Sequence, residues 1–193
     1  MPLTVITPPT DEPVTLAEAK ALLRIDGSEE DALLLSLIVT ARLTVEDVTG
    51  HALITRTVAA VQDRWPPARE LPLPVRPLQA VEAVTLPDMQ GGEIVWPAAN
   101  YLVEAAGSHP RLVLAPGAVW PVLHRPSGGI RIRMRAGHGD TAAEVPPPLR
   151  HAVLLLAAHW FENRLPVIVS AAATAVPSTV ASLLAPYRNP RLR

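Results

Sequence analysis

The sequence predicts an α+β fold. It reads as a small helical bundle core, an inserted antiparallel β section, and a C-terminal docking helix and tail. Two observations carry this. Apolar residues recur at helical spacing up to Gly50, alternate with polar ones from about His51 to Ala136, and return to helical spacing at Pro147. Of the 193 residues, 22 are proline, too many for a plain bundle because interior proline breaks helices and central strands.

Residues 1–14 form an extended, proline-rich N-terminal arm. Residues 15–164 form a single α+β domain, with helices over 15–50 and 147–164 and the β insertion over 51–136. Residues 165–193 form a small-residue loop and a C-terminal docking segment.

Thr15 is placed to cap the first helix, and Glu18 three residues later completes a capping box. Leu16, Ala19, Leu22 and Leu23 share one face, and Gly27 marks the stop. Ser28 then opens a longer helix, with Glu29, Glu30 and Asp31 in its first turn, where the helix dipole favours anions. Leu34, Leu37, Ile38, Ala41, Val45 and Val48 form its apolar stripe, and Gly50 ends it. The short connection predicts a helical hairpin.

The runs HALITRTVAAV, LPLPV, QAVEAVTL, EIVW, NYLVEA, RLVLA and IRIRMRA are strand-like. Gly91-Gly92, Gly107 and Gly128-Gly129 punctuate them as turns, and an antiparallel section of about five or six strands is expected. Pro146, Pro147 and Pro148 start a strongly apolar helix, with Trp160 and Phe161 expected to pack on the N-terminal hairpin. Ser178 caps a last short helix that Pro186 ends.

Catalytic signatures are absent. Without cysteine there are no disulfides, thiolate metal sites or cysteine nucleophiles. The sole lysine, Lys20, lacks the glycines of a phosphate-binding loop, and GxGxxG, HExxH and GxSxG do not occur. Gly137-His138-Gly139-Asp140 follows a strand but leads into prolines rather than a helix. His151 and His159 lie about 12 Å apart along one helix axis, too far to share a metal unaided. Ser108-His109 are mere sequence neighbours in a turn. These absences predict no enzyme activity, no metal and no cofactor. The start shows no secretory signal, and the apolar runs fall far short of the roughly 20 residues that span a membrane. A soluble protein of a reducing cytosol, with no membrane partner, is expected.

Net charge is −1 but uneven: −6 over residues 1–50, +1 over 51–144 and +4 over 145–193. Opposite ends of this kind either associate head to tail or are simply solvated. In Ile130–Ala136, Arg131, Arg133 and Arg135 alternate with Ile130, Ile132, Met134 and Ala136, which makes one sheet face basic. Such a face meets phosphates or an acidic partner, or pairs with acids on a neighbouring strand. A DNA-reading helix-turn-helix is disfavoured because the N-terminal hairpin carries −6.

The order of these pieces is similar to that of a known family. A capped short helix precedes a long one ending EDVTGHALITRTV, followed by LPLPVRPLQAVEAVTLPD, PPPLRHAVLLLAAHWFENR and VPSTVASLLAPYR. From about Thr15 to Arg188 this resembles the head–tail connector (adaptor) proteins of long-tailed bacteriophages and phage-derived gene transfer agents. The most specific pieces are Ala158–Arg164 and Leu183–Arg188. The resemblance implies a structural ring, usually of twelve copies, assembled in the bacterial cytoplasm. The ring would sit under the portal of a DNA-filled head and carry the next tail component, a stopper or tail terminator. Double-stranded DNA would pass its central channel without sequence specificity.

The resemblance also implies a C-terminal segment that inserts into the portal. Leu183, Leu184 and Tyr187 would supply its apolar face, and Arg188, Arg191 and Arg193 its charge. The alternative is that this helix folds back on its own subunit. Arg131, Arg133 and Arg135 are the candidate channel or subunit-contact residues. Other readings are a stopper or tail-completion ring of the same particle and, from a different class, a nucleic-acid-binding regulator.

Overall fold

The computed structural model describes residues 2–90, 92–107, 109–163 and 177–188. Helices and antiparallel sheets are both present, as the α+β reading requires. Cα proximity divides the chain into two compact units. One holds the residues up to Thr10 together with Thr55–Gly137, and the other holds Asp11–Ile54 with the residues from His138 onward.

In the helical unit, α1 (Leu16–Leu23) begins with the expected box. The Glu18 N–H donates to Thr15 Oγ1 at 3.2 Å, and the Thr15 N–H donates to Glu18 Oε2 at 2.8 Å. The helix ends earlier than Gly27. Arg24 turns into the left-handed region at φ 56°, and its N–H closes on the Lys20 carbonyl. Gly27 instead leaves room for the Glu29 carboxylate, which a Cβ there would strike.

Helix α2 (Asp31–Thr49) follows a turn in which the Asp31 N–H donates to the Ser28 carbonyl at 3.2 Å. Ser28 is therefore a turn residue, and Glu30 holds the N-cap position without a side-chain capping bond to the helix. Gly50 ends the helix as expected, at φ 71°, a conformation that costs glycine little. Lys20 Nζ and Asp31 Oδ1, 2.7 Å apart, tie α1 to α2.

Helix α3 (Pro147–Glu162) packs on both, and α4 (Ser178–Leu184) packs on α3 and α2. Ser178 is the first residue of α4 and does not cap it; Pro177 takes that position. A 3-10 turn, Ala185–Tyr187, carries the chain past Pro186. The core of this unit joins Ile38, Ala41 and Val45 of α2, Leu149, Val153 and Leu156 of α3, and Val180 and Leu184 of α4. Trp160 is partly buried against this core.

In the β unit every strand-like run becomes a strand. These are β2 (Arg56–Gln62), β3 (Glu70–Pro72), β4 (Leu78–Pro87), β5 (Glu93–Val95), β6 (Tyr101–Glu104), β7 (Arg111–Leu114) and β8 (Ile130–Ala136). The N-terminal segment read as an arm contributes one more strand, β1 (Leu3–Thr7), paired antiparallel with β2. Its apolar, β-prone LTVIT gains a ladder there that an isolated arm lacks. A five-stranded sheet runs β1-β2-β8-β4-β5 and a three-stranded sheet β3-β7-β6. Pro72 lies on β3, an edge strand, where a missing N–H is tolerated.

Candidate functional site

The β8 alternation stands as read. Ile130, Ile132, Met134 and Ala136 are fully buried, and Arg131, Arg133 and Arg135 are exposed. Two of the arginines face acids of their own sheet. Arg131 pairs with Glu93 of β5, and Arg133 Nε lies 3.0 Å from Glu82 Oε2 of β4. Both pairs are exposed, so they hold side chains in place while adding little stability. The face remains open to a polyanion or a second protein.

The C-terminal docking residues are distributed differently from the expectation. Val180 and Leu184 are buried in the helical unit's own core, and Leu183 and Tyr187 pack partly against it. The apolar side of α4 therefore folds back on its own subunit, because a seven-residue helix is too short to persist without a core to cover. Tyr187 also meets His51 edge-on. Arg188 is exposed, while Arg191 and Arg193 lie outside the described residues. The loop 165–176 lies outside them as well.

Acids of the N-terminal region are largely used internally. Arg42 is buried, with Nε 2.7 Å from Glu12 Oε2 and Nη1 3.0 Å from Glu46 Oε2. Burial opposes its charge, and the two carboxylates more than offset that, so its pKa is raised. The other Glu46 oxygen accepts the Leu53 N–H at 3.0 Å, beyond the end of α2. Glu18 is held below the usual carboxylate range, chiefly by the Thr15 N–H, with Arg150 adding to it. Association through opposite chain ends thus has fewer uncommitted acids than the bare count of charges suggests.

Two side-chain groups escaped the sequence reading. His51 Nδ1 and His138 Nε2 lie 3.1 Å apart, with the rings stacked at 5.3 Å. Burial pushes the His138 pKa down. In the β unit, Trp65 stacks on Trp120 at 4.5 Å, and Trp96 joins both and Tyr101. The Trp65 and Trp120 indole N–H groups donate to the Pro121 and Ala68 carbonyls at 2.9 and 3.0 Å, respectively. Beside this cluster Val119 and Val122 stand 76% and 78% exposed. The available signal was that three of the four tryptophans fall within the proline-rich β section. Among the described residues no group of three or more His, Asp or Glu is placed to hold a metal, and no helix is long and apolar enough to cross a membrane.

A basic sheet face, exposed apolar strands and an aromatic cluster flanked by bare valines are surfaces for contact. They are the kind of surface through which proteins bind other macromolecules. Residues 13–91 match the family described as phage gp6-like head-tail connector protein. Among solved structures, a chain in the virion of a native gene transfer agent (GTA) particle is 30% identical. The similarity covers 100% of this chain and 98% of that one, at a TM-score of 0.84. Chains from the neck of an empty GTA particle with C6 symmetry and of a native one with C12 symmetry are 29% and 30% identical. They show the same coverage, at TM-scores of 0.85 and 0.81. No curated protein matches the chain. The chain belongs to the phage gp6-like head–tail connector proteins, a structural family rather than an enzyme family.

Proposed function

We propose that this chain forms a ring in the neck of a phage-like particle of the gene-transfer-agent type, where it joins the portal of a DNA-filled head to the next tail component. The observation that supports this most is similarity over 100% of this chain and 98% of the other to chains of GTA necks with C6 and C12 symmetry. Twelve copies are the expected number. Double-stranded DNA passes the central opening, and Arg131, Arg133 and Arg135 contact its phosphates or a neighbouring copy without reading sequence.

The C-terminal segment contacts the portal. Leu184 anchors its base to the helical unit, and Arg188, followed by Arg191 and Arg193, offers positive charge to an acidic portal surface. The copies assemble in the bacterial cytoplasm before joining the particle.

The test is production of particles in cells lacking this chain. Filled heads without tails are expected, restored by the full-length chain and not by one ending at Pro186. Normal tailed particles in its absence would overturn the proposal.

A further inference from the structure

Among the described residues the five-stranded sheet has two open edges, β1 and β5. Both are unusually bare. All residues of both strands are exposed, including Leu3 at 44%, Val5 at 53%, Ile94 at 47% and Val95 at 63%. Soluble proteins blunt such edges with lysine, proline or inward charge. Leu3–Thr7 holds neither a charge nor a proline, and the one charge of β5, Glu93, is paired with Arg131 of its own sheet.

The backbone parity of the two edges matches. The Val61 N–H donates to the Pro2 carbonyl, so in antiparallel alternation Leu3 and Val5 turn their N–H and C=O groups to the open side. At the other edge the Trp96 N–H donates to the Val84 carbonyl and the Asp88 N–H to the Gly92 carbonyl. The same alternation leaves Glu93 and Val95 facing outward and Ile94 bonded inward. Every neighbouring pair in this sheet is antiparallel, so β1 and β5 run in the same direction.

We propose that the β1 edge of one copy adds in parallel to the β5 edge of the next, making one sheet continuous between neighbours. In a parallel ladder a residue bonds to the two residues flanking the one opposite it. With Val5 opposite Ile94, the Val5 N–H reaches the Glu93 carbonyl and the Val5 carbonyl accepts from the Val95 N–H. Faces agree as well. Val5 aligns with Val58 and Met134 through β2, and Ile94 with Leu86 and hence with the buried side of β8. The apolar face of the sheet, which runs off both edges of a single copy, is then continued by the neighbour. Because the two edges differ, the contact is head-to-tail, the kind that closes rings rather than dimers. This rests on the ring reading above and names the surface that makes the ring.

The chain has no cysteine, so a single engineered pair reports on the contact. Val5→Cys with Ile94→Cys, placed in the full chain and carried into particles, is oxidised and run without reductant. A ladder of covalent multimers rising to the ring size is expected, while each single variant stays monomeric. Rings seen by imaging but no ladder would overturn the β1–β5 contact and leave the ring standing. Dimers from Val5→Cys alone would overturn it in favour of a two-fold β1–β1 pairing. Particles without any ring of this chain would overturn both.

Discussion

Tyr187 meets His51 edge to face, with ring centroids 5.8 Å apart and planes at 86°. The last described turn of the chain is thereby fastened to the residue that follows the glycine cap of α2. Its neighbour Leu184 lies 1% exposed in the same unit. Leu184→Ala is expected to cost about 2–5 kcal/mol of unfolding free energy, the range for emptying a buried leucine site. Urea denaturation measures it, and a cost below about 1 kcal/mol would show that α4 is not part of the folded core.

Glu46 serves two buried groups at once, the Arg42 guanidinium and the Leu53 N–H. Glu46→Ala should therefore cost about 3–5 kcal/mol, as expected for stripping a partner from a buried charge. Glu12→Ala should cost clearly less, because that side chain is 27% exposed and water can replace it. Arg42→Met should cost about as much as Glu46→Ala, roughly 3–5 kcal/mol, because it takes the shared guanidinium from two carboxylates, of which that of Glu46 is only 11% exposed. Chemical denaturation of the three variants gives the order directly.

The helical unit was legible wherever local chemistry decided the outcome. The Thr15–Glu18 box and the Gly50 stop depend on residues within one turn of each other. The strand runs and the β8 alternation depend on period alone. What escaped depends on distant partners. LTVIT reads as an arm until β2 is placed beside it, and for α4 the choice between docking and folding back stays open until α2 and α3 offer it a core. Trp65, Trp96, Tyr101 and Trp120 are scattered along the chain and meet only through the fold. Arg24 was missed for another reason: a non-glycine residue at positive φ leaves no mark in the sequence. Of the proposed contact residues, the arginines of β8 were visible from spacing, whereas the matching parity of the β1 and β5 edges exists only once sheet order is known.

His138 is buried enough for its pKa to be depressed. The unfolded chain then binds the proton more readily than the folded one, so stability is intact above the unfolded value of about 6.5 and declines as pH falls below it. His138→Gln should flatten that decline near pH 6. The loss at lower pH, where the depressed Glu18 and Glu144 take up protons, should remain. Unfolding midpoints of both proteins across pH 4–8 provide the check.

Arg131, Arg133 and Arg135 are exposed, and the pairs of Arg131 with Glu93 and of Arg133 with Glu82 lie at the surface. Replacing all three with alanine should change monomer stability by no more than about 1 kcal/mol. Particle function should fall nonetheless: tailed particles would form poorly if the face joins subunits, or form and deliver little DNA if it lines the channel. A strongly destabilised monomer, or full DNA delivery, would exclude both roles.

The central claim is that this chain is the ring between portal and tail, and imaging the necks of intact particles at subunit resolution tests it most directly. The account predicts a closed ring at the head–tail junction into which this fold can be built copy by copy, with DNA or an open channel on its axis. Density for the fold anywhere else in the particle, or a neck complete without it, would contradict the account.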